Sequence, residues 1–277
     1  MLTIADHRRD SAGLLYVYPV VSRRARGVSV GINLNPNAAC NWACVYCQVA
    51  DLKRGGPPPV DLQRLERELR GFLGEVVHGD FLVRCVPEDS RRLADVAFSG
   101  DGEPTTASEF ADAVAIVERV LRDLGLLGSL IPRLITNGSQ LHREGVREGI
   151  ARLGNLGGEV WFKIDRASEA GCAIVNGIRR TPQQTQAALL ACAQLAPTWV
   201  QTCWFALDGE PPEQAEEDAY LALIGEVREK IRGVHLYGLA RPSQQPQASR
   251  LAPLTAPDFE RFARRIRELG VEVVANP

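Results

Sequence analysis

Two kinds of hydrophobic stretch alternate along the chain. Short runs rich in β-branched residues are bounded by glycine and polar residues, which is typical of buried strands. Longer stretches space their apolar residues three or four positions apart, so that Leu65, Leu69 and Phe72 share one helix face. The predicted strands lie at residues 28–34, 95–100, 133–139, 159–165, 199–208, 233–240 and 271–276. The predicted helices begin near Leu62 and Phe110 and cover residues 181–195, 211–232 and 256–269.

Strands that alternate with helices predict a parallel sheet joined by right-handed crossovers. The number of units indicates an α/β fold, in which one curved, partial (β/α) barrel spans residues 1–277 as a single domain. Reactive residues in such folds lie at the carboxyl ends of strands, and four polar segments fall at predicted strand ends. These segments are SGDGE (99–103), TNGS (136–139), KID (163–165) and ARPS (240–243).

The composition is that of a globular protein with enough apolar residues for a core, since 45% of the 277 residues are hydrophobic and 24% are charged. The formal net charge of -2 gives no overall attraction to phosphate, so a contact with nucleic acid needs a local basic patch. No stretch is apolar for long enough to cross a bilayer, and the N-terminus lacks a secretory signal pattern. We therefore expect a cytoplasmic protein with no membrane partner.

Three of the seven cysteines, Cys40, Cys44 and Cys47, form a CxxxCxxC array directly after a predicted strand. In a reducing compartment, clustered cysteines predict metal ligands. Three thiolates on a tight loop can bind a [4Fe-4S] cluster and leave one iron open for a small molecule, much as a catalytic zinc keeps an open position. The alternative is a structural zinc site completed by a histidine or a distant cysteine, although the four histidines are scattered along the chain.

With the aromatic Tyr46 before its last cysteine, the array resembles the signature of the radical S-adenosylmethionine (SAM) superfamily. The segments SRRARGVSVGINLNPNAACNWACVYCQV, SGDGEPT, TNGS and ARPS, in order within residues 17–246, resemble more narrowly the branch related to the wyosine (tRNA base) synthases. The resemblance implies a partial (β/α)6 TIM-like barrel, with residues 247–277 as a C-terminal helix and strand. It also implies a [4Fe-4S] cluster and SAM as cofactors, and an external electron donor of the flavodoxin or ferredoxin type. Residues 1–39 contain neither cysteine nor lysine, whereas those synthases carry second-cluster cysteines and a lysine for pyruvate there.

The same resemblance implies which residues contact SAM. Gly102 and Glu103 resemble the motif that binds the amino group of the methionine moiety, since glycine lets the backbone approach a ligand and a carboxylate pairs with an ammonium. Asn137 and Ser139 resemble the segment near the ribose and carboxylate, and we expect Tyr46 to flank the adenine. Gly-Asp and Asn-Gly pairs are also common in plain turns, which is the alternative at both segments.

The candidate catalytic residues are Lys163, Asp165 and Cys172. Lys163 lies between Phe162 and Ile164, so its side chain points into the barrel lumen if those two pack outward. A buried lysine needs a partner, and Asp165 shares its face, either as an internal ion pair or as part of an anchor for a substrate or SAM carboxylate. Cys172 follows a loop glycine after this strand and is the candidate hydrogen-atom donor, with an inert buried thiol as the alternative.

The sequence leaves the substrate open. Arg23, Arg24 and Arg26 precede the cysteine array and form either a clamp for phosphate or carboxylate, or a solvated face. The predicted function is a radical SAM enzyme that reductively cleaves SAM to a 5′-deoxyadenosyl radical. That radical is expected to abstract hydrogen from an unidentified substrate, either an RNA base or a small anionic molecule. The alternative is a non-catalytic iron-sulfur or zinc-binding protein.

Overall fold

The computed structural model describes residues 13–22, 27–239 and 241–277, and within these ranges an eight-stranded sheet forms the centre of the fold. The strands follow one another across the sheet in chain order. The first pair is antiparallel, and every later pair is parallel. The strands are β1 (Val17–Ser22), β2 (Gly27–Ile32), β3 (Leu93–Phe98), β4 (Ile131–Thr136), β5 (Glu159–Lys163), β6 (Thr198–Cys203), β7 (Gly233–Tyr237) and β8 (Val273–Asn276).

Helices connect the parallel strands, and capping residues define where several of them begin. The side chain of Asp61 accepts a hydrogen bond from the first turn of one helix, and Thr181 forms a capping box with Gln184 at the start of another. The helices of the described ranges are α1 (Leu62–His78), α2 (Phe81–Cys85), α3 (Phe110–Asp123), α4 (Glu144–Asn155), α5 (Glu169–Asn176), α6 (Pro182–Ala193), α7 (Gln214–Val227) and α8 (Ala256–Arg267). Short 3-10 turns lie at Glu88–Ser90, Pro104–Thr106 and Ala248–Arg250, and short strands pair Ala39–Cys40 with Lys53–Arg54 and Ala206–Leu207 with Leu251–Ala252.

Each parallel strand separates an apolar face from a polar one. Val96 and Phe98 of β3 belong to the main hydrophobic core together with the helices, as does Leu134 of β4. The residues that alternate with them, Asp95 and Arg133, are turned to the concave side and line a cavity. The concave side of the sheet therefore carries polar side chains that the core does not need, and these are available to a site.

The predicted α/β class and partial barrel are confirmed. Six predicted strands correspond to β2 to β7, and the predicted C-terminal helix and strand correspond to α8 and β8. The run at 199–208 is divided, because the long strand ends at Cys203 and a separate short strand covers Ala206–Leu207. No helix of the described ranges combines the length and the apolar character needed to cross a membrane.

Among the described residues, the helices α2, α4 and α5 and the sheet strand β1 were not predicted from the sequence pattern. Glycines at positions 145, 149 and 154 weaken the helical pattern of α4, but Gly149 is needed for packing because a Cβ there would lie 2.7 Å from the Phe110 ring. The short α5 follows the Lys163 strand in a stretch that was interpreted as a loop. The strand β1 pairs with β2 along its whole length and covers the edge of the sheet.

Candidate active site

A cavity of about 330 Å³ lies inside the curved sheet and is lined by residues at the carboxyl ends of the parallel strands. This is the end at which barrels of parallel strands carry their reactive groups. The predicted site residues that line it are Cys40, Cys44, Cys47, Tyr46, Gly102, Glu103, Asn137 and Lys163. Ser139, Asp165 and Cys172 do not line it. The arginines at positions 23, 24 and 26 lie outside the described residues.

The loop between β2 and α1 carries the three cysteines and is held in place by backbone hydrogen bonds. Ala39–Cys40 pairs with Lys53–Arg54 in parallel, so the loop returns beside its own beginning. The N–H groups of Ala43 and Val45 donate to carbonyls in the last turn of α5, at 3.0 and 2.9 Å. The loop is therefore fixed to the barrel at a point that the sequence did not reveal, since α5 was not predicted.

The three cysteine side chains form no disulfide and lie at the cavity wall. Burial raises the pKa of Cys40 to about 11 and that of Cys44 to about 12, so both are protonated near neutral pH until a metal replaces the proton. The amide of Asn176 donates to the Cys44 sulfur at 3.3 Å, and the Trp42 N–H donates to the Cys40 sulfur at 3.5 Å. Within the described ranges, no three metal-binding side chains converge on a single ion. A four-iron cluster does not require such convergence, because each thiolate binds a different iron.

The glycines of the GDGEP segment allow two loops to pack closely. A Cβ at Gly102 would lie 2.1 Å from the carbonyl oxygen of Ala39, beside the first cysteine. A Cβ at Gly100, where φ is +151°, would lie 2.3 Å from the Asn33 Oδ1. Contact with the cysteine loop therefore explains why Gly102 must be glycine, whereas the sequence suggested close approach to a ligand.

Glu103 is buried and its carboxylate is occupied by hydrogen bonds within the protein. Its Oε1 accepts from the hydroxyls of Thr105 and Thr136, both at 2.6 Å, and its Oε2 accepts from the Asn137 N–H at 2.7 Å. Burial raises the pKa of Glu103, although these hydrogen bonds oppose the shift. The carboxylate thus ties the end of β3 to the end of β4, and its contact with a SAM ammonium stays a prediction.

Asn41 connects the TNGS segment to the cysteine loop and was missed by the sequence reasoning. Its Nδ2 donates to the Ser139 hydroxyl at 2.7 Å, and its Oδ1 accepts from the Asn137 Nδ2 at 3.0 Å. Ser139 thereby supports the residue next to Cys40 rather than lining the cavity. The only sequence signal for Asn41 was its position inside the cysteine array.

Lys163 points into the lumen from the end of β5, as the alternation of its strand predicts. Its Nζ donates to the Tyr237 hydroxyl at 3.0 Å and lies 3.5 Å from the Asp165 Oδ1. It also lies 5.0 Å from the centre of the Tyr46 ring. Burial alone would lower the pKa of Lys163, but the charge of Asp165 raises it above its usual value. The side chain is therefore a fixed cation at neutral pH.

Asp165 lies beneath the cavity wall and organises the groups around it. Its Oδ2 accepts hydrogen bonds from the Tyr46 hydroxyl at 2.5 Å and from the Asn176 Nδ2 at 2.8 Å. Its Oδ1 accepts from the Cys203 N–H at 2.9 Å and faces Lys163. With its side chain fully buried, Asp165 positions neighbours but does not itself touch the cavity contents.

The structure does not bring Cys172 to the cavity. This residue lies on α5, is 3% exposed, and its thiol contacts the Arg166 carbonyl oxygen at 3.3 Å. The interpretation of residue 172 as part of a loop was wrong because the short α5 was not recognised. Cys203, at the end of β6, lines the cavity instead. Of these two thiols, Cys203 is therefore the one that borders the cavity.

The floor of the cavity is a buried network that the sequence did not predict. Arg133 pairs with Asp95 and also contacts the Glu159 Oε1 at 2.7 Å. Its guanidinium lies 4.3 Å from the centre of the Trp161 ring, whose other neighbour is the His235 ring at 4.6 Å. These residues come from four strands, so only the register of the sheet brings them together. Their alternation with core residues was the available signal.

Comparison with curated proteins gives partial matches. The chain is 31% identical over 158 residues to the UPF0026 protein MJ1312 of Methanocaldococcus jannaschii, which is 54% of this chain and 40% of that protein. It is 24% identical over 135 residues to the GTPase Obg of Brachyspira hyodysenteriae, which is 48% of this chain and 17% of that protein. The chain therefore spans less than half the length of these curated relatives. No family model matches it.

Comparison with solved structures identifies the class of fold. A radical SAM methyltransferase from Sphaerobacter thermophilus superposes with a TM-score of 0.61 at 14% identity, over 94% of this chain and 68% of that one. A structure of TYW1 with a bound lysine-pyruvate adduct superposes with a TM-score of 0.57 at 14% identity, over 88% of this chain and 74% of that one. A structure of anSMEcpe with bound AdoMet superposes with a TM-score of 0.53 at 15% identity, over 89% of this chain and 63% of that one. The chain thus has the partial-barrel fold of the radical SAM enzymes, as its cysteine signature predicted.

Proposed function

We propose that this chain is a radical SAM enzyme in which Cys40, Cys44 and Cys47 hold a [4Fe-4S] cluster. The observation that carries the proposal is a loop that places three cysteines on the wall of a cavity, at the carboxyl ends of the strands of this fold. The thiols fit the group, because thiolates are the ligands that iron-sulfur clusters prefer and each of the three can bind a separate iron.

The cluster and SAM would supply the difficult chemistry, namely one-electron reduction of the sulfonium and release of a 5′-deoxyadenosyl radical. An external donor of the flavodoxin or ferredoxin type would deliver the electron. The protein's own contribution is to bind, to orient and to exclude water. Glu103 and Asn41 hold the loops around the cysteines in fixed positions, as a preorganised site requires. Lys163 provides a cation on the wall for an anionic group of SAM or substrate.

The proposal draws further support from the solved structures that share the fold, one of which contains AdoMet. It differs from the alternative of a non-catalytic iron-sulfur or zinc protein in requiring an enclosed ligand site beside the cysteines. The cavity meets that requirement, because Asn137, Gly102 and Lys163 line the same space as the three thiols. This observation favours catalysis over a purely structural metal site.

Anaerobic reconstitution with iron and sulfide tests the proposed function. We expect about four irons per chain and, after addition of SAM and dithionite, release of 5′-deoxyadenosine. Cys44→Ala should lose the cluster signal in the visible spectrum. The matched control is Cys85→Ala, a half-buried thiol outside the cavity, which should retain the cluster. A chain that binds zinc tightly and releases no 5′-deoxyadenosine would refute the proposal in favour of the alternative.

A further inference from the structure

The side-chain amide of Gln201 faces the cavity and has no hydrogen-bond partner in the part of the chain that the structure describes. The residue lies on β6 and is only 2% exposed. Buried amides are nearly always hydrogen-bonded, since removing them from water without a partner is unfavourable. The amide of Gln201 is therefore available to a molecule bound in the cavity.

A second amide on the same wall has the same property. Asn276, at the end of β8, lines the cavity, and its Nδ2 is buried with no hydrogen-bond partner among the described residues. Tyr237 of β7 is the Cα partner of Asn276 on one side and of Cys203 on the other. The two amides thus flank β7, and both add hydrogen-bonding groups to one wall.

A cation lies on the strand next to Gln201 and reaches Tyr237, the strand neighbour of Asn276. Lys163 of β5 is the direct Cα partner of Gln201 on the neighbouring strand, and both side chains line the cavity. Of the three N–H groups of its ammonium, one is donated to Tyr237 and a second points to Asp165. The third remains for a ligand. The oxygens of Asp165 are already engaged below the wall, so the group presented to the cavity is positive.

We propose that Lys163, Gln201 and Asn276 form a subsite for the carboxylate of a small-molecule substrate. An ammonium and two amide NH2 groups match the lone pairs of two carboxylate oxygens, and charge assistance strengthens such hydrogen bonds. The subsite lies on β5 to β8, whereas the GDGEP and TNGS segments expected to hold SAM follow β3 and β4. The proposed subsite and the expected SAM segments therefore lie on different strands of the sheet.

The size of the cavity and the charge of Lys163 favour a small acid over an RNA base. At about 330 Å³, the cavity is near the lower limit of ligand pockets, and it must also admit SAM. A neutral base can accept hydrogen bonds from the amides and from Lys163, but it brings no negative charge to the ammonium. The inference rests on the proposed function, because it assigns the substrate of that same site.

Calorimetric titration of the reconstituted full chain under anaerobic conditions, with SAM present, tests the subsite. The probes are acetate, butyrate and benzoate, each compared with its primary amide, which has the same shape but no charge. We expect at least one acid to bind. The affinity for its amide should be lower by roughly tenfold or more, which is the expected effect of losing hydrogen bonds to a charged group. Gln201→Leu should weaken binding of the acid by a similar factor. Gln201→Glu should weaken this binding further, because the new carboxylate repels the carboxylate of the ligand.

The matched control is Gln183→Leu, the same change at an exposed position of α6, which should leave acid binding unaltered. Thermal unfolding of each variant separates loss of binding from loss of folding, and Gln201→Glu gives an independent test if the leucine variant is unstable. Failure of every acid to bind, equal affinity for acid and amide, or binding that ignores Gln201→Glu would overturn the subsite. So would tight binding of a tRNA transcript that Gln201→Leu weakens. Release of 5′-deoxyadenosine, measured separately, distinguishes failure of the subsite from failure of the proposed function.

Discussion

Replacement of Asp165 by alanine removes the acceptor for three hydrogen bonds and the partner of a buried cation. The lost hydrogen bonds come from Tyr46 at 2.5 Å, Asn176 at 2.8 Å and the Cys203 N–H at 2.9 Å. Lys163, whose side chain is 18% exposed, is left without its counter-ion. Removal of one partner from a buried ion pair costs about 3–5 kcal/mol, and we expect a loss of stability in that range.

A double-mutant cycle separates the ion pair from the hydrogen bonds. Lys163→Met in the Asp165→Ala background removes the unpaired charge, so the double variant should recover part of the loss. We expect a coupling free energy of about 2 kcal/mol or more between Asp165 and Lys163. In the Asp165→Ala variant, burial is the largest remaining influence on Lys163 and lowers its pKa in the folded state, while Tyr237 and Cys44 oppose this shift. The stability of that variant should therefore rise with pH toward the ordinary lysine pKa, so its deficit should be smaller at pH 10 than at pH 7.

The assay is urea unfolding of the metal-free chain, followed by far-UV circular dichroism at both pH values. Asp208→Ala is the matched control, because Asp208 pairs with Arg250 through two hydrogen bonds at the surface. Its replacement should lower the free energy of unfolding much less than that of Asp165. A loss below about 1 kcal/mol for Asp165→Ala, or strict additivity in the cycle, would refute the view that Asp165 organises this wall.

Three further predictions concern the loops and the core. Gly102→Ala should reduce iron content after reconstitution because its Cβ meets the Ala39 carbonyl at 2.1 Å, whereas Gly56→Ala, with open space around it, should not. Glu103→Leu should cost about 3 kcal/mol in urea unfolding because several buried donors lose their acceptor; an unchanged midpoint would contradict this. Burial raises the pKa of Cys192 to about 12. The protonated thiol therefore contributes fully to the free energy of unfolding below pH 9, and this contribution is lost as pH rises toward 12. Cys192→Ala should accordingly show a shallower fall in stability over that range in a pH series of unfolding curves, and an identical slope would exclude the effect.

Much of the barrel could be predicted because its strands are short apolar runs between helical patterns. The elements that could not be predicted have sequences that depart from the usual helix or strand pattern. The glycines of α4 weaken its helical pattern, but Gly149 lets the helix pass close to Phe110. The strand β1 pairs antiparallel with β2 and is not separated from it by a helix, so the alternation of strands and helices gave no signal for it.

The site was predictable where chemistry is concentrated in adjacent residues and not where it is distributed over strands. Cys40, Cys44 and Cys47 carry their signal within a single loop, and the structure puts all three on one cavity wall. Gln201 and Asn276 have no local motif. The register of the sheet places Gln201 beside Lys163, and it places Asn276 beside Tyr237, the hydrogen-bond partner of Lys163. Likewise, the difference between Cys172 and Cys203 depends on which side of the sheet each faces, which spacing along the chain cannot show.

The contact between β1 and β2 has a consequence for the evolutionary record of this chain. A Cβ at Gly31 would lie 2.2 Å from the ring of Tyr18, whose hydroxyl shares a hydrogen bond with Ser99 at 2.8 Å on the far side of β2. The aromatic ring therefore occupies the space that a side chain at position 31 would need. Among homologues, positions 18 and 31 should covary, with any residue larger than glycine at 31 accompanied by the loss of the aromatic at 18. Because Tyr18 lines the cavity, such paired exchanges would mark lineages in which the shape of the substrate changed.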